Sequence, residues 1–155
     1  MELADILSEE SVIVCTGLTT KAEVLELLAN KAAAAAGADP AAVLRAVSER
    51  EELGSTGLGN GIAIPHGKIP GIARVVAVFA RLEQPIEFDA IDDQPVDLLM
   101  LLLAPTGSGA DHLKALARVA RVLRTDSVVE TLRSTLDPSE IHGALSQPIE
   151  TTRAA

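Results

Sequence analysis

Three histidines stand in the chain, and one of them sits where chemistry is easiest to arrange. His66 lies near the end of a glycine-dense run, GSTGLGNGIAIPHGK, that spans Gly54 to Lys68. Four glycines precede Pro65, and Gly67 follows the histidine at once. Glycine opens backbone conformations closed to other residues and lets a second molecule come close. Pro65 fixes its own φ and biases Ile64 towards extended geometry, so the chain enters His66 with little freedom. A stiff approach and a bare surround suit an exposed nucleophile. Neutral imidazole is a good one near pH 7, since its reference pKa is about 6.5. On loop composition alone, a loop histidine held by a structural hydrogen bond fits equally well.

Other groups could support an anion on that ring. Arg50 closes a predicted helix just before the loop. A phosphorylated histidine would carry roughly two negative charges, and a guanidinium stabilises such charge with paired hydrogen bonds. An ordinary helix C-terminal cation is the plainer reading of the same arginine. His112 begins another predicted helix, where free N–H groups favour phosphate; it also reads simply as a helix-start residue. Ser55 and Thr56 supply hydroxyls, or start a turn. Loop N–H groups, those of Gly59, Asn60 and Gly61 among them, are further candidate donors. Lys114, Arg118 and Arg121 form a basic stripe after His112, read first as a solvated face. His142 is assigned to packing or surface.

Competing chemistries fail on particular residues. Gly57-x-Gly59 starts like a dinucleotide loop, but Ile62 stands where the third glycine belongs. Gly67-Lys68 resembles the end of a P-loop, but Ile69 replaces the hydroxyl that holds magnesium. No histidine pair has metal-ligand spacing, so no metal site is expected, and no soluble cofactor is implied. The formal net charge of −9 repels nucleic acid and anionic lipid. With no Trp or Tyr and two Phe, base stacking has no platform. Cys15 is the single cysteine, which fits a reducing compartment and a buried, inert thiol. The N-terminus MELADILSEE lacks the features of a signal peptide, and the longest apolar run is too short to span a bilayer. The expected location is the cytoplasm.

These residues need elements to hold them. Thr20 and Glu23 form a capping box before a helix with Leu25, Leu28, Ala29 and Ala32 on one face. Gly37 ends it. Asp39-Pro40 starts a second helix that runs to Arg50 and Glu51. Val75–Leu82 and Asp97–Ala104 read as strands, the latter covered on both faces. A helix over Asp111–Arg124 is expected to bury Leu113, Leu116, Ala117, Ala120 and Leu123. Shorter helices are expected over Ser127–Ser134 and Pro138–Leu145, the last with Asp137 as N-cap. Helices flank strands on both sides, so the fold class is α/β: a sheet flanked by helices on both faces, in a single domain over 3–146. Residues 147–155 lack pattern and are expected to form a disordered tail.

The segment SEREELGSTGLGNGIAIPHGK, Ser48 to Lys68, closely resembles the active-site region of phosphotransferase-system enzyme IIA proteins of the fructose/mannitol type. PIEFDAIDDQPVDLL, Pro85 to Leu99, is similar to that family's nitrogen-regulatory branch. Asp111-His112-Leu113, followed by LARVARVL, resembles its second histidine and the helix behind it. The resemblance implies a mixed β-sheet flanked by helices. It places the family's phosphorylated histidine on His66, its active-site arginine on Arg50 and its second histidine on His112. The implied activity is that of a phosphotransferase component with a phosphohistidine intermediate. The implied donor is a small histidine phosphocarrier protein of the HPr type. Regulatory members bind targets such as potassium-transport proteins and sensor kinases in one phosphorylation state; sugar-specific members pass the group to a IIB protein. The expected role is chiefly regulatory, in nitrogen and potassium metabolism. A sugar-transport IIA and a binding module whose histidine never turns over are the alternatives. No IIB or IIC unit is seen in this chain, so transport by it alone is not expected.

Overall fold

The computed structural model describes residues 2–147. Two 3-10 turns, Leu3–Asp5 and Glu9–Ser11, lead into β1 (Val12–Cys15). Helices α1 (Lys21–Ala36) and α2 (Pro40–Glu52) follow. Three short strands come next: β2 (Gly57–Gly59), β3 (Ile62–Ala63) and β4 (His66–Ile69). Two long strands, β5 (Val76–Ile86) and β6 (Val96–Pro105), precede α3 (Gly109–Leu123), α4 (Asp126–Ser134) and α5 (Pro138–Leu145).

The expected helix signals work as chemistry. The Thr20 hydroxyl accepts from Glu23 N–H, the Glu23 carboxylate reaches back to Thr20 N–H, and Gly37 closes α1 in the left-handed conformation at φ 71°. Asp137 caps α5 by accepting from Ser139 N–H. The capping expected of Asp39 takes another form: Pro40 starts α2, but the Asp39 side chain accepts no cap hydrogen bond.

The six strands form one mixed, open sheet in the order β1-β5-β6-β3-β2, with β4 also alongside β6. β5 and β6 pair antiparallel, while β3 and β4 lie one after the other on the far side of β6, both parallel to it. β6 is apolar throughout because both of its faces are covered. Leu99, Leu101 and Leu103 pack with α1 and α2. Leu98, Met100, Leu102 and Ala104 pack with α3, α4 and α5. The fold class is as expected, an α/β single domain.

Three local expectations change. The glycine-dense stretch is not a plain loop but carries β2, β3 and the start of β4. Strand β1 is an addition to the expected elements, since its four residues are too few to show a period. And α3 begins at Gly109 and buries His112, Ala115, Val119, Val122 and Leu123, leaving Leu113 67% exposed. Cys15 is buried, as expected, and burial pushes its thiol pKa up. Most of the tail expected over 147–155 lies outside the described residues. Among the described residues no helix is long and apolar enough to cross a membrane.

Candidate functional site

β4 is an edge strand whose register decides where its side chains go. His66 pairs with Leu102, Gly67 with Leu103 and Lys68 with Ala104. Partners in a parallel pair share a face, so His66 and Lys68 lie on the α3 side and Gly67 on the α2 side. A Cβ added at Gly67 would lie 3.2 Å from Ala46 C, Ala46 Cβ and Val47 N. Glycine therefore lets α2 press against the strand edge. This brings Arg50, one turn beyond Ala46, round to the histidine.

The result is an open cavity of about 680 Å³ between α2, β4 and α3. Arg50, His66, Lys68 and His112 line it, with Leu53 and Leu113 also contributing to its wall. The two imidazole centroids are 5.5 Å apart and tilted by 52°. The structure thus brings together the three principal residues read from the sequence: His66, Arg50 and His112.

His66 is fixed by one decisive contact. Its Nδ1 lies 2.9 Å from the Ile64 carbonyl oxygen. A carbonyl only accepts, so Nδ1 carries the proton and, in the neutral ring, Nε2 holds a free lone pair. The carbonyl is itself held in place. Ile64 N–H donates to Thr56 O. Thr56 donates its N–H to Glu51 Oε2 at 3.0 Å and its hydroxyl to Glu51 Oε1 at 2.6 Å. Lys21 Nζ pairs with the same carboxylate at 3.0 Å. Burial pushes the Glu51 pKa up, but the Thr56 hydroxyl, Lys21 and the Thr56 N–H outweigh it and hold the carboxylate ionised below its usual range. A buried ion pair thus anchors the backbone that orients His66.

Both imidazoles in the cavity have lowered pKa values, which favours their neutral form. Burial lowers the His66 pKa, the Ile64 carbonyl opposes this, and Arg50 and Lys68 push it down while Glu51 pulls it up. Burial, then His66 and Lys68, lower that of His112. His112 is 5% exposed and its Nδ1 is buried with no hydrogen-bond partner, alone in this among side-chain atoms of the described residues. The linkage has a definite sign. On acidification the unfolded chain takes up these protons first, so stability rises with pH here. The contribution is complete above the unfolded value of about 6.5 and is lost as pH falls through the lower folded values. The thermal midpoint is therefore expected to fall between pH 7 and 5, with a shallower slope in a His66→Gln/His112→Gln variant. An equal slope in that variant would assign the loss to other groups.

Other candidates lie elsewhere. The Thr56 hydroxyl is committed to Glu51, and Ser55 Oγ donates to Phe88 O and accepts from Gly57 N–H. Both are scaffold. Gly59, Asn60 and Gly61 form the β2–β3 hairpin, where Gly59 pairs with Ile62 across a two-residue turn. Asn60 and Gly61 both have positive φ, 59° and 81°, the requirement of such a tight turn. Gly61 O accepts from Leu98 N–H, whereas His66 pairs with Leu102. Four residues of strand separate the two, about 13 Å. These three residues therefore shape the sheet and do not reach a group on His66. His142 packs, its Nε2 2.9 Å from Leu7 O. No group of three metal-ligating side chains occurs among the described residues.

Fold and site together define a histidine-centred α/β domain with a cationic cavity at the edge of its sheet. The family described as phosphoenolpyruvate-dependent sugar phosphotransferase system, EIIA 2, matches residues 5–147. The chain belongs to that family, as a phosphotransferase-system component, and its similarity within it runs to the nitrogen-regulatory branch. It is 45% identical over 148 residues to a nitrogen regulatory protein of Bradyrhizobium diazoefficiens, covering 96% of this chain and 97% of that one. The crystal structure of nitrogen regulatory protein IIA-Ntr from Neisseria meningitidis superposes with a TM-score of 0.84 at 33% identity, over 92% of this chain and 97% of that one. A fructose-specific EIIA component of Haloferax volcanii is 36% identical over 132 residues, 84% of this chain and 86% of that one.

Proposed function

We propose that this protein carries a phosphoryl group on Nε2 of His66, taken from an HPr-type histidine phosphocarrier, and that the group serves chiefly as a regulatory signal. The observation that carries this reading is the Nδ1 contact with the Ile64 carbonyl, which fixes the tautomer and leaves Nε2 as the nucleophile. The lowered pKa keeps that lone pair available at neutral pH. In the transfer, the Nε2 lone pair forms the new N–P bond as the donor's N–P bond breaks, and its electron pair returns to the donor ring. No proton need move from Nδ1. Such a step asks the protein mainly for alignment and charge stabilisation. Arg50 supplies charge, and the neutral His112 ring, its centroid 5.5 Å from that of His66, stands beside the group as a polar wall. Exposed Leu53 and Leu113 on the cavity wall give a donor protein an apolar seat that excludes water.

The test is incubation with enzyme I, an HPr-type carrier and labelled phosphoenolpyruvate. Stoichiometric acid-labile label supports the reading; no label on the wild type overturns it. Arg50 donates Nη1 to Gly54 O at 2.9 Å, which holds its guanidinium over the turn after α2. For Arg50→Ala we expect the rate of acceptance to fall about 10²-fold, with the melting temperature little changed. An unchanged rate would remove Arg50 from the site's chemistry.

The nitrogen-regulatory relatives favour a regulatory role, with target proteins read in one phosphorylation state. Similarity to a fructose-specific component favours a second reading, transfer to a separate IIB protein. Discharge of the labelled protein by a fructose- or mannitol-type IIB, within the time of loading, would establish the second.

A further inference from the structure

We propose that Lys68 is a catalytic residue: its ammonium binds the non-bridging oxygens of the phosphoryl group during transfer to His66 and in the phosphohistidine that results. This rests on the carrier reading above and adds a group to it.

The placement follows from the strand. Lys68 is two residues beyond His66 on β4, so both side chains leave the same face, about 7 Å apart at their backbones. Both line the cavity that Arg50 and His112 complete. Gly67 between them faces α2, so nothing from β4 stands in the way. That placement makes Lys68 the least of the causes, after burial and nearer groups, that lower the basicity of His66 and of His112.

The ammonium also has no other task. It is exposed, and none of the three ion pairs among the described residues includes it. Lys21, by contrast, is committed to Glu51 and to Phe88 O. Arg50 donates Nη1 to Gly54 O, which commits one end of its planar fork to the turn after α2. A lysine on a flexible stem supplies what that fork lacks, a point charge able to follow the phosphorus as it crosses between two rings. The cavity is locally cationic in a chain of net charge −9. Among the residues that line it, Arg50 and Lys68 face a single carboxylate, that of Glu49.

The charge balance explains why a second cation is wanted. Roughly two negative charges arrive on His66. One guanidinium offsets about half of them, and the neutral His112 adds a dipole only. Because Lys68 is exposed, its contribution is screened and smaller than that of a buried donor.

The experiment compares wild type, Lys68→Met and Lys68→Arg, loaded from an HPr-type carrier labelled through enzyme I and phosphoenolpyruvate. Lys68→Met is expected to accept the group about tenfold more slowly, to lie further towards the donor at equilibrium, and to lose much of the wild type's sensitivity to salt. Lys68→Arg is expected to stay within about threefold of wild type. A second readout does not depend on transfer. In an NMR titration, the His66 pKa should rise in Lys68→Met and not in Lys68→Arg, with Arg50, Glu49, Glu51 and His112 unchanged around the ring. Wild-type loading and an unmoved His66 titration in Lys68→Met would overturn the proposal and leave the carrier reading intact. Equal slowing in Lys68→Arg and Lys68→Met would overturn it too, since charge would then not be what matters. Failure of the wild type itself to load would instead remove the reading on which the proposal rests.

Discussion

His66→Ala is expected to accept no phosphoryl group, with the rate falling by at least about 10³-fold while the fold survives. Loss of the attacking atom removes the reaction, not merely its acceleration. The structural cost is small: one half-buried ring and one hydrogen bond to Ile64, about 1 kcal/mol. Rescue by the neighbouring imidazole is not expected. His112 is 5% exposed, and its Nδ1 is sealed from solvent. A donor cannot bring phosphorus to that atom without moving α3. The attachment point is equally specific, since only Nε2 of His66 has a free lone pair in the tautomer that the Ile64 carbonyl selects. Nitrogen-15 NMR of the loaded wild type should therefore show phosphorus on Nε2 and a proton on Nδ1. Label on Nδ1, or label that persists in His66→Ala, would contradict the reading of the site.

How far the sequence discloses this site depends on what each residue is doing. His66 was readable because Pro65 and Gly67 act locally, on the chain beside them. Arg50 and His112 lie 16 and 46 positions away in number, and no local rule joins them to His66. Their chemistry made them possible supports beside plainer readings, the family resemblance assigned them to the site, and the geometry brings them to one cavity. The hairpin residues show the opposite failure. Glycine density around Asn60 looks the same whether it cradles an anion or turns a chain, and Asn60-Gly61 turns the chain. Thr56 is ambiguous for a similar reason: a hydroxyl near a site has no assigned role until its partner, here Glu51, is known.

Helix α3 is instructive in another way. Two apolar stripes fit its period equally, one through Leu113, Leu116, Ala117 and Ala120, the other through His112, Ala115, Val119 and Val122. Hydropathy favours the first, because it contains the leucines. The protein buries the second, because the sheet needs the β-branched valines and the site needs His112. Leu113 is left on the cavity wall, 67% exposed.

Gly67→Val is the most telling structural change. Gly67 is not in a left-handed conformation, and valine suits strands, so the backbone gives no reason for glycine. The reason is contact. A Cβ would meet Ala46 C and Val47 N at 3.2 Å. Both are backbone atoms and cannot rotate away; valine's further methyl groups would press harder. The helix must then lift from the strand edge. Overpacking of this kind costs about 1–3 kcal/mol, and chemical unfolding should show a loss of about that size. The functional loss should exceed what stability explains. Ala46 and Arg50 lie one turn apart on the same face of α2, so lifting the helix withdraws the guanidinium from His66. Acceptance by the folded variant should fall to about the level of Arg50→Ala. Combining the two should then cost little more than either alone, because both remove one interaction. Full additivity would mean that Gly67 acts independently of Arg50, and wild-type stability in Gly67→Val would mean that α2 does not press on the strand as closely as its packing implies.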